Sequence, residues 1–439
     1  MNQGEAYGYL LDLPRFATQG EAAFRPGLER MRAMLEAMNS PQETYKIIHV
    51  AGTNGKGSTA SMLGAIWTAS GKRTGLHTSP HLLDVTERMR VDGVAASRQW
   101  LAAAVDEWKP LFDEYRPSFF EATVALSLLY FAREDVEWAV VEVGMGGCFD
   151  ATNVVTPDLA VITHIGLDHT QWLGETLTEI AGEKAGIIKE GVPVCAGRLP
   201  SRARSVIQEI AADRQAPLHI VPDETIVTPS SGDDGVSWDI QTPAGVYRDL
   251  SMGVRGPHQQ DNAAVAVRGA ELLLPSGRQR DRAVREGLER VAELSGLRAR
   301  FERVREEPPI IVDVAHNESS LAAVLEAAAA LRSVGGRMFV VLGLMADKNL
   351  AAIARLLRGV EAGVWPVALE GDRALPVDVL RAQLEAEGVR TVEPGGNVAT
   401  AIDWYEGEAR TGDILLATGS HLVVSRVLRE IDGRMRKTN

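Results

Sequence analysis

Cysteine is nearly missing from this chain: Cys148 and Cys195 are the two in 439 residues. Two thiols make no disulfide framework, which points to a reducing, cytoplasmic setting. Aromatic residues are also sparse at 5%, leaving little for a base-stacking surface. No run of about 18 or more apolar residues occurs, so no membrane span is expected. The opening residues MNQGEAYGYLLDLP have neither the basic start nor the apolar centre of a secretory leader. Positive charge is in deficit, 46 Lys and Arg against 59 Asp and Glu, for a formal net charge of -13. General nucleic-acid binding is therefore not expected. An acidic chain holds a polyanion only by local means: a glycine loop, a lysine, a helix terminus, a bound magnesium ion.

What is present describes a globular protein, 45% hydrophobic and 24% charged, long enough for two or three domains. Internal repeats and low-complexity tracts are lacking. The most informative stretch is HVAGTNGKGST, residues 49–59. A short β-branched run, YKIIHV, precedes it and an apolar stretch of helical spacing follows. Strand, glycine loop and helix present backbone N–H groups to a phosphate at a helix N-terminus. Lys56 would add charge for the outer phosphates and Ser58 a hydroxyl for magnesium. The loop is shorter than the common phosphate loop, and Gly57 separates Lys56 from the hydroxyls. The alternative is a glycine-rich turn carrying a surface lysine.

Apolar runs alternate with helical stretches through most of the chain. WAVVEVG (138–144), LAVITHIG (159–166) and VPVCAG (192–197) read as buried strands of a parallel sheet covered on both faces. VSWDIQTPAGVYRDL, after the polar loop PSSGDDG, reads as a β-hairpin over 236–250 appended to that sheet. A second series, PIIVDVAHN, RMFVVLGLM and DILLATGS, predicts a second α/β domain, with the boundary near Gly296. The expected domains are 1–296 and 297–439.

Ligands of open α/β sheets bind at strand carboxyl ends. Polar residues gather there: Glu142, Asp150 and Asn153 after one strand, and His164, Asp168 and His169 after the next. Glu183, Lys184 and Lys189 follow, and Ser79 and His81 lie after another short segment. Carboxylate, hydroxyl and imidazole together could hold a hard cation. Each residue alone also fits a solvated edge, a packed histidine or a tight turn. In the second half, Asp313, His316 and Asn317 end a strand; Asn317 equally fits a helix cap. On the functional reading this domain folds over the nucleotide, with Arg300 at the hinge supplying charge on closure.

The motifs TSPHL, FFEATVAL, EVGMGGCFDATN, IGLDHTQWLG, EKAGIIK, GPHQQDNAAVA, DVAHN, VLGLMADKN and ATGSH occur in order with GTNGKGS. Together they make the chain resemble the folylpolyglutamate synthase and dihydrofolate synthase family of the Mur ligases, over nearly its whole length. The resemblance implies an α/β fold: a P-loop ATPase domain with a parallel-rich sheet and a smaller Rossmann-like C-terminal domain. It implies that ATP phosphorylates a pteroate or folate carboxylate and that L-glutamate attacks the acyl phosphate to form an amide.

By the same resemblance, Gly52, Thr53, Asn54, Gly55, Lys56, Gly57 and Ser58 would bind the phosphates. Asn262, Arg300 and Asp313 would serve the nucleotide. Ser58, Ser79, Glu142, His169 and Lys184 would serve magnesium, two ions in all, with Lys184 carbamylated. Phe120 and Asp150 would hold the pterin, and His316 would lie near glutamate and the γ-phosphate. Lys56, Lys184 and His316 are the expected catalytic set. The expected partners are dihydropteroate or tetrahydrofolate and L-glutamate, with no nucleic acid or membrane, and the expected state is a monomer. Many relatives carry arginine at the position of Cys148. Two other readings remain: a ligase of the same chemistry acting on a non-folate acid, and a nucleotide-binding module without catalysis.

Overall fold

A computed structural model describes residues 1–14, 27–230, 237–256, 258–371, 373–392 and 396–438. The chain divides into two compact units. The first runs from Met1 to Leu297 apart from a short stretch after Val254, and the second comprises Arg298–Asn439 with that stretch.

The first unit is built on an eight-stranded sheet. In chain order its strands are β1 (Lys46–Ala51), β2 (Thr74–His77), β3 (Met89–Val91), β4 (Val94–Ala95), β5 (Trp138–Glu142), β6 (Leu159–Ile162), β7 (Val194–Ala196) and β8 (Leu218–Ile220). The spatial order is β4-β3-β2-β5-β1-β6-β7-β8. Pairings from β2 through β8 are parallel, while β3 and β4 add an antiparallel edge. β1 is central, and the chain passes to β5 on one side and β6 on the other, so the carboxyl ends of all three share one edge. That is where an open sheet leaves a crevice.

Side chains alternate across the sheet. Ile48, Val50, Val140 and Val161 pack under the helices Lys56–Ala69 and Gln259–Leu273. Ile47, Ala139 and Val141 face the opposite layer, which includes the helices Arg98–Tyr115 and Phe119–Arg133. Helix Lys56–Ala69 is buried from Gly57 to Trp67 without a polar face. That is expected of a helix walled in on all sides rather than amphipathic. Its N-terminus is consequently held by packing along its whole length.

The hairpin expected over 236–250 is present as β10 (Ser237–Thr242) and β11 (Gly245–Ser251), but it does not extend the main sheet. With β9 (Ile226–Pro229) it makes a separate three-stranded sheet, β11-β10-β9. Ile240, Tyr247 and Leu250 are buried with Trp67, Val284 and Leu288, so this small sheet closes over helices instead of pairing with a strand. Most of the polar loop before it lies outside the described residues.

The second unit holds a five-stranded sheet of β12 (Glu302–Arg305), β13 (Ile310–Val312), β14 (Met338–Leu342), β15 (Gly363–Pro366) and β16 (Ile414–Thr418), in the order β12-β13-β16-β14-β15. All pairings are parallel except the edge strand β12. Both units are thus α/β with parallel-rich sheets. Among the described residues no helix is long and apolar enough to cross a membrane.

Candidate active site

At the end of β1 the chain turns through Gly52, whose φ is +152°. A Cβ there would stand 2.0 Å from Thr163 Oγ1, so only glycine fits against the end of β6. Thr163 donates to the Asn54 carbonyl at 2.6 Å, and the Thr53 N–H donates to the His164 carbonyl at 2.6 Å. Thr53 Oγ1 also bonds the Gly166 carbonyl at 3.1 Å. The loop is therefore laced to the β6 exit before any ligand arrives. Gly55, at φ +83°, begins helix Lys56–Ala69, and a Cβ there would meet Asn262 Oδ1 at 2.3 Å. Asn262 is buried, accepts from Thr59 Oγ1 at 3.4 Å and donates to Gln259 at 3.0 Å.

Two lysines converge on one carbonyl. Lys56 Nζ donates to the Gly52 carbonyl at 3.1 Å and to that of Thr53 at 3.1 Å, while Lys184 Nζ donates to Gly52 at 2.9 Å. Lys184 comes from helix Leu177–Ala185 and is 3% exposed. Burial, and then the charge of Lys56, push its ammonium down to about 7, against the weaker pull of Asp168, Asp150 and Glu183. Like charges gathered around a carbonyl in a desolvated pocket cost stability, and an anion placed there would relieve it.

Glu142, at the end of β5 and 3% exposed, accepts the Ser79 N–H at 2.9 Å, so these two expected magnesium positions do meet. His169 takes a left-handed backbone at φ 50°; its N–H donates to Asp168 Oδ1 at 3.0 Å, and its ring Nε2 lies 4.0 Å from Asp168 Oδ2. Among the described residues no group of three or more His, Cys, Asp or Glu is arranged to hold a metal. A buried carboxylate with hydroxyls nearby suits magnesium, which usually takes one or two carboxylates and completes its shell with water and substrate phosphates.

The glycines after β5 form the next wall. A Cβ on Gly144 would fall 2.5 Å from Phe120 Cζ, so the ring rests on bare backbone. Asp150 is buried: Oδ2 accepts the Met145 N–H at 2.9 Å, and Oδ1 accepts the Thr152 N–H at 3.0 Å and the Thr152 hydroxyl at 2.5 Å. Burial raises its carboxyl even against these donors. Cys148 turns away onto helix Leu177–Ala185. Its thiol faces the Gly182 carbonyl at 3.7 Å, and its N–H donates to Glu183 at 2.8 Å. Lys189, another strand-end polar residue, donates to Asn153 Oδ1 at 2.8 Å.

Within the second unit, Asp313 ends β13 in a buried position, Oδ2 accepting the Phe301 N–H at 2.8 Å and Oδ1 that of Ala315 at 2.8 Å. His316 Nδ1 bonds the Val314 carbonyl at 2.9 Å, which makes Nδ1 the protonated nitrogen. Asn317 caps helix Glu318–Ala330 by accepting the Ser320 N–H at 3.0 Å. Arg300 donates to the Ala299 carbonyl at 3.2 Å. Reading the sequence overlooked Thr163, Thr152 and the placement of His49. Thr163 had a usable signal, being the first polar residue after an apolar strand.

A family model described as the Mur ligase middle domain matches residues 50–269, and one described as the Mur ligase glutamate ligase domain matches residues 299–421. The chain is 33% identical over 417 residues to the dihydrofolate synthase/folylpolyglutamate synthase of Bacillus subtilis, covering 93% of this chain and 95% of that protein. The chain belongs to this family of Mur ligases. The family is one of ATP-dependent ligases. Solved relatives agree over the whole fold. Escherichia coli FolC in complex with DHPP and ADP superposes with a TM-score of 0.85 at 29% identity, over 99% of both chains. A bifunctional folylpolyglutamate synthase/dihydrofolate synthase with Mn, AMPPNP and L-glutamate bound gives 0.84 at 30% identity, over 98% of both.

Proposed function

We propose that this ligase joins L-glutamate to the carboxylate of dihydropteroate or a reduced folate, using ATP and passing through an acyl phosphate. The observation that carries the reading is the convergence of Lys56 and Lys184 on the Gly52 carbonyl, beside the paired Ser79 and Glu142. Phosphoryl transfer asks for positioning and charge neutralisation more than for covalent help from the protein. Gly52 to Ser58 cradle the phosphates, and Lys56 leaves its two carbonyls for the outer ones. Bound magnesium would draw negative charge from the phosphates; Ser58, Ser79, Glu142 and His169 are the residues to hold it.

Lys184 is partly neutral near pH 7 because it is buried. Its amine can add to carbon dioxide and release a proton, giving a carbamate anion that would offer magnesium an oxygen ligand. Asn262, Arg300 and Asp313 serve the nucleotide, and His316 the glutamate and γ-phosphate. Phe120 and the Gly144 wall take the flat pterin, with Asp150 fixing the turn beneath it. The enzyme acts as a cytoplasmic monomer, and both cysteines are free thiols. Incubation with ATP, magnesium, glutamate and a panel of acids, read by product mass, tests this. Extension of dihydropteroate or tetrahydrofolate by one glutamyl unit is expected; extension of an unrelated acid alone would overturn the folate assignment.

A further inference from the structure

His49 lies on β1 with Ile47 and Ala51, on a face where the strand pattern calls for an apolar side chain, and it is fully buried. Its Nε2 is 2.9 Å from Thr152 Oγ1, and Nδ1 has no hydrogen-bond partner. Leaving a buried nitrogen unsatisfied is costly, so an aliphatic residue would serve the core better. The other nitrogen explains why histidine stands here. A threonine hydroxyl has a single proton, and Oγ1 lies 2.5 Å from Asp150 Oδ1. Both oxygens of the same carboxyl group also accept backbone N–H groups, Oδ1 that of Thr152 and Oδ2 that of Met145, which places it as an acceptor although burial raises its pKa. The hydroxyl proton therefore points to Asp150, and Oγ1 offers His49 only lone pairs. His49 must carry its proton on Nε2.

We propose that His49 is a positioning residue for the acyl-substrate pocket, acting through Thr152 to orient Asp150 and hold the Gly144–Met145 backbone on which Phe120 rests. The inference rests on the reading that Phe120 and its glycine wall receive the pterin. Donation runs one way, from His49 Nε2–H to Thr152 Oγ1 and from the Thr152 hydroxyl to Asp150 Oδ1, so the carboxyl group orients the hydroxyl and the imidazole holds that hydroxyl in place from the buried strand. Burial, with the nearby charge of Lys189 and a smaller contribution from His77, drives the imidazole down to about 3, so the ring stays neutral with a single N–H, the one given to Thr152.

Removing the hydroxyl with Thr152→Val is expected to raise KM for dihydropteroate or tetrahydrofolate roughly tenfold, the loss of a buried hydrogen bond, and to leave KM for ATP within about twofold. Thr152→Ser should restore most of the affinity. His49→Gln, which keeps a donor, should bind acyl substrate more tightly than His49→Leu. In the unmutated enzyme, nitrogen NMR of His49 should show the Nε2–H tautomer, a readout that needs no variant to fold. An Nδ1–H tautomer, or equal rises in both KM values, would overturn the proposal. So would an unchanged acyl-substrate KM in Thr152→Val while Phe120→Ala raises it. If Phe120→Ala leaves that KM unchanged, the pocket itself is misplaced and the proposal falls with it.

Discussion

Two strand ends, one in each unit, carry the residues expected to do chemistry, and they spend them differently. At the end of β1 the polar groups are in conflict: Lys56 and Lys184 share the Gly52 carbonyl, and one of these cations is buried. At the end of β13 they are at rest. Asp313 takes two backbone N–H groups, His316 bonds the Val314 carbonyl and Asn317 caps the helix that follows. The first arrangement is costly until an anion enters, which is a sign of a binding site. The second stabilises its own backbone, so its residues reach a ligand already oriented. Substitutions at the first end should therefore remove activity and spare the fold, whereas substitutions at the second should be felt in stability as well as in activity.

The sharpest test is Lys56→Ala. It removes a cation directed at the phosphates and no core packing, so kcat should fall by about a hundredfold or more, the usual loss of roughly 3 to 4 kcal/mol of transition-state stabilisation. Its melting temperature should hold or rise, because Lys184 is freed from a like charge. A folded variant with near-normal turnover would remove this loop from the mechanism.

Lys184→Met should abolish ligation and stabilise the ligand-free protein. The sign follows from its pKa, about 7 in the folded protein and 10.5 for an ordinary lysine. Below about pH 7 both states hold the proton and the full penalty applies. Between those values the unfolded chain binds more protons, so stability rises with pH until the penalty is gone. Each unit of such a shift is worth about 1.4 kcal/mol. Urea midpoints of the wild type should climb relative to Lys184→Met between about pH 7 and pH 10; parallel curves would show that the ammonium is not desolvated.

Asp313→Ala would break the contrast from the other side. It leaves the Phe301 and Ala315 N–H groups buried and unpaired, at about 1 to 3 kcal/mol for each. Denaturation of the second unit should shift accordingly, and Asp313→Asn should recover part of the loss because its amide oxygen can still accept. An Asp313→Ala protein as stable as wild type would show that the Phe301 and Ala315 N–H groups do not depend on this carboxylate. The smallest effect belongs to Asn317→Ala, a lost helix cap of about 1 kcal/mol, with kcat unchanged.

Much of the first strand end was legible in the chain. Strand, glycines, lysine and helix follow within residues 46–69, and such short-range order is what local sequence encodes. Glu142 could be read in the same way, as the polar residue ending an apolar strand. Thr163 could not be assigned a partner: its bond to Asn54 joins positions 109 apart, and nothing local states that β6 lies beside β1. The His49–Thr152 bond spans 103 positions for the same reason. What Cys148, where many relatives carry arginine, would touch was likewise not local: its thiol packs against Gly182 and Gly186. The hairpin was visible from its alternation, but where it would pair depended on which helices needed covering.

The amino-acid sequence by itself determined the elements, the α/β class, the phosphate loop and the residue types at the strand ends. These follow from periodicity and from backbone needs that act within a few residues. The tertiary structure alone decided the strand order that laces the loop to β6 and sets Lys184 beside Lys56. It also decided the orientation of the chain from His49 to Asp150. Those outcomes depend on packing and desolvation between segments distant in sequence, where a lysine's charge or a histidine's tautomer is set by its neighbours.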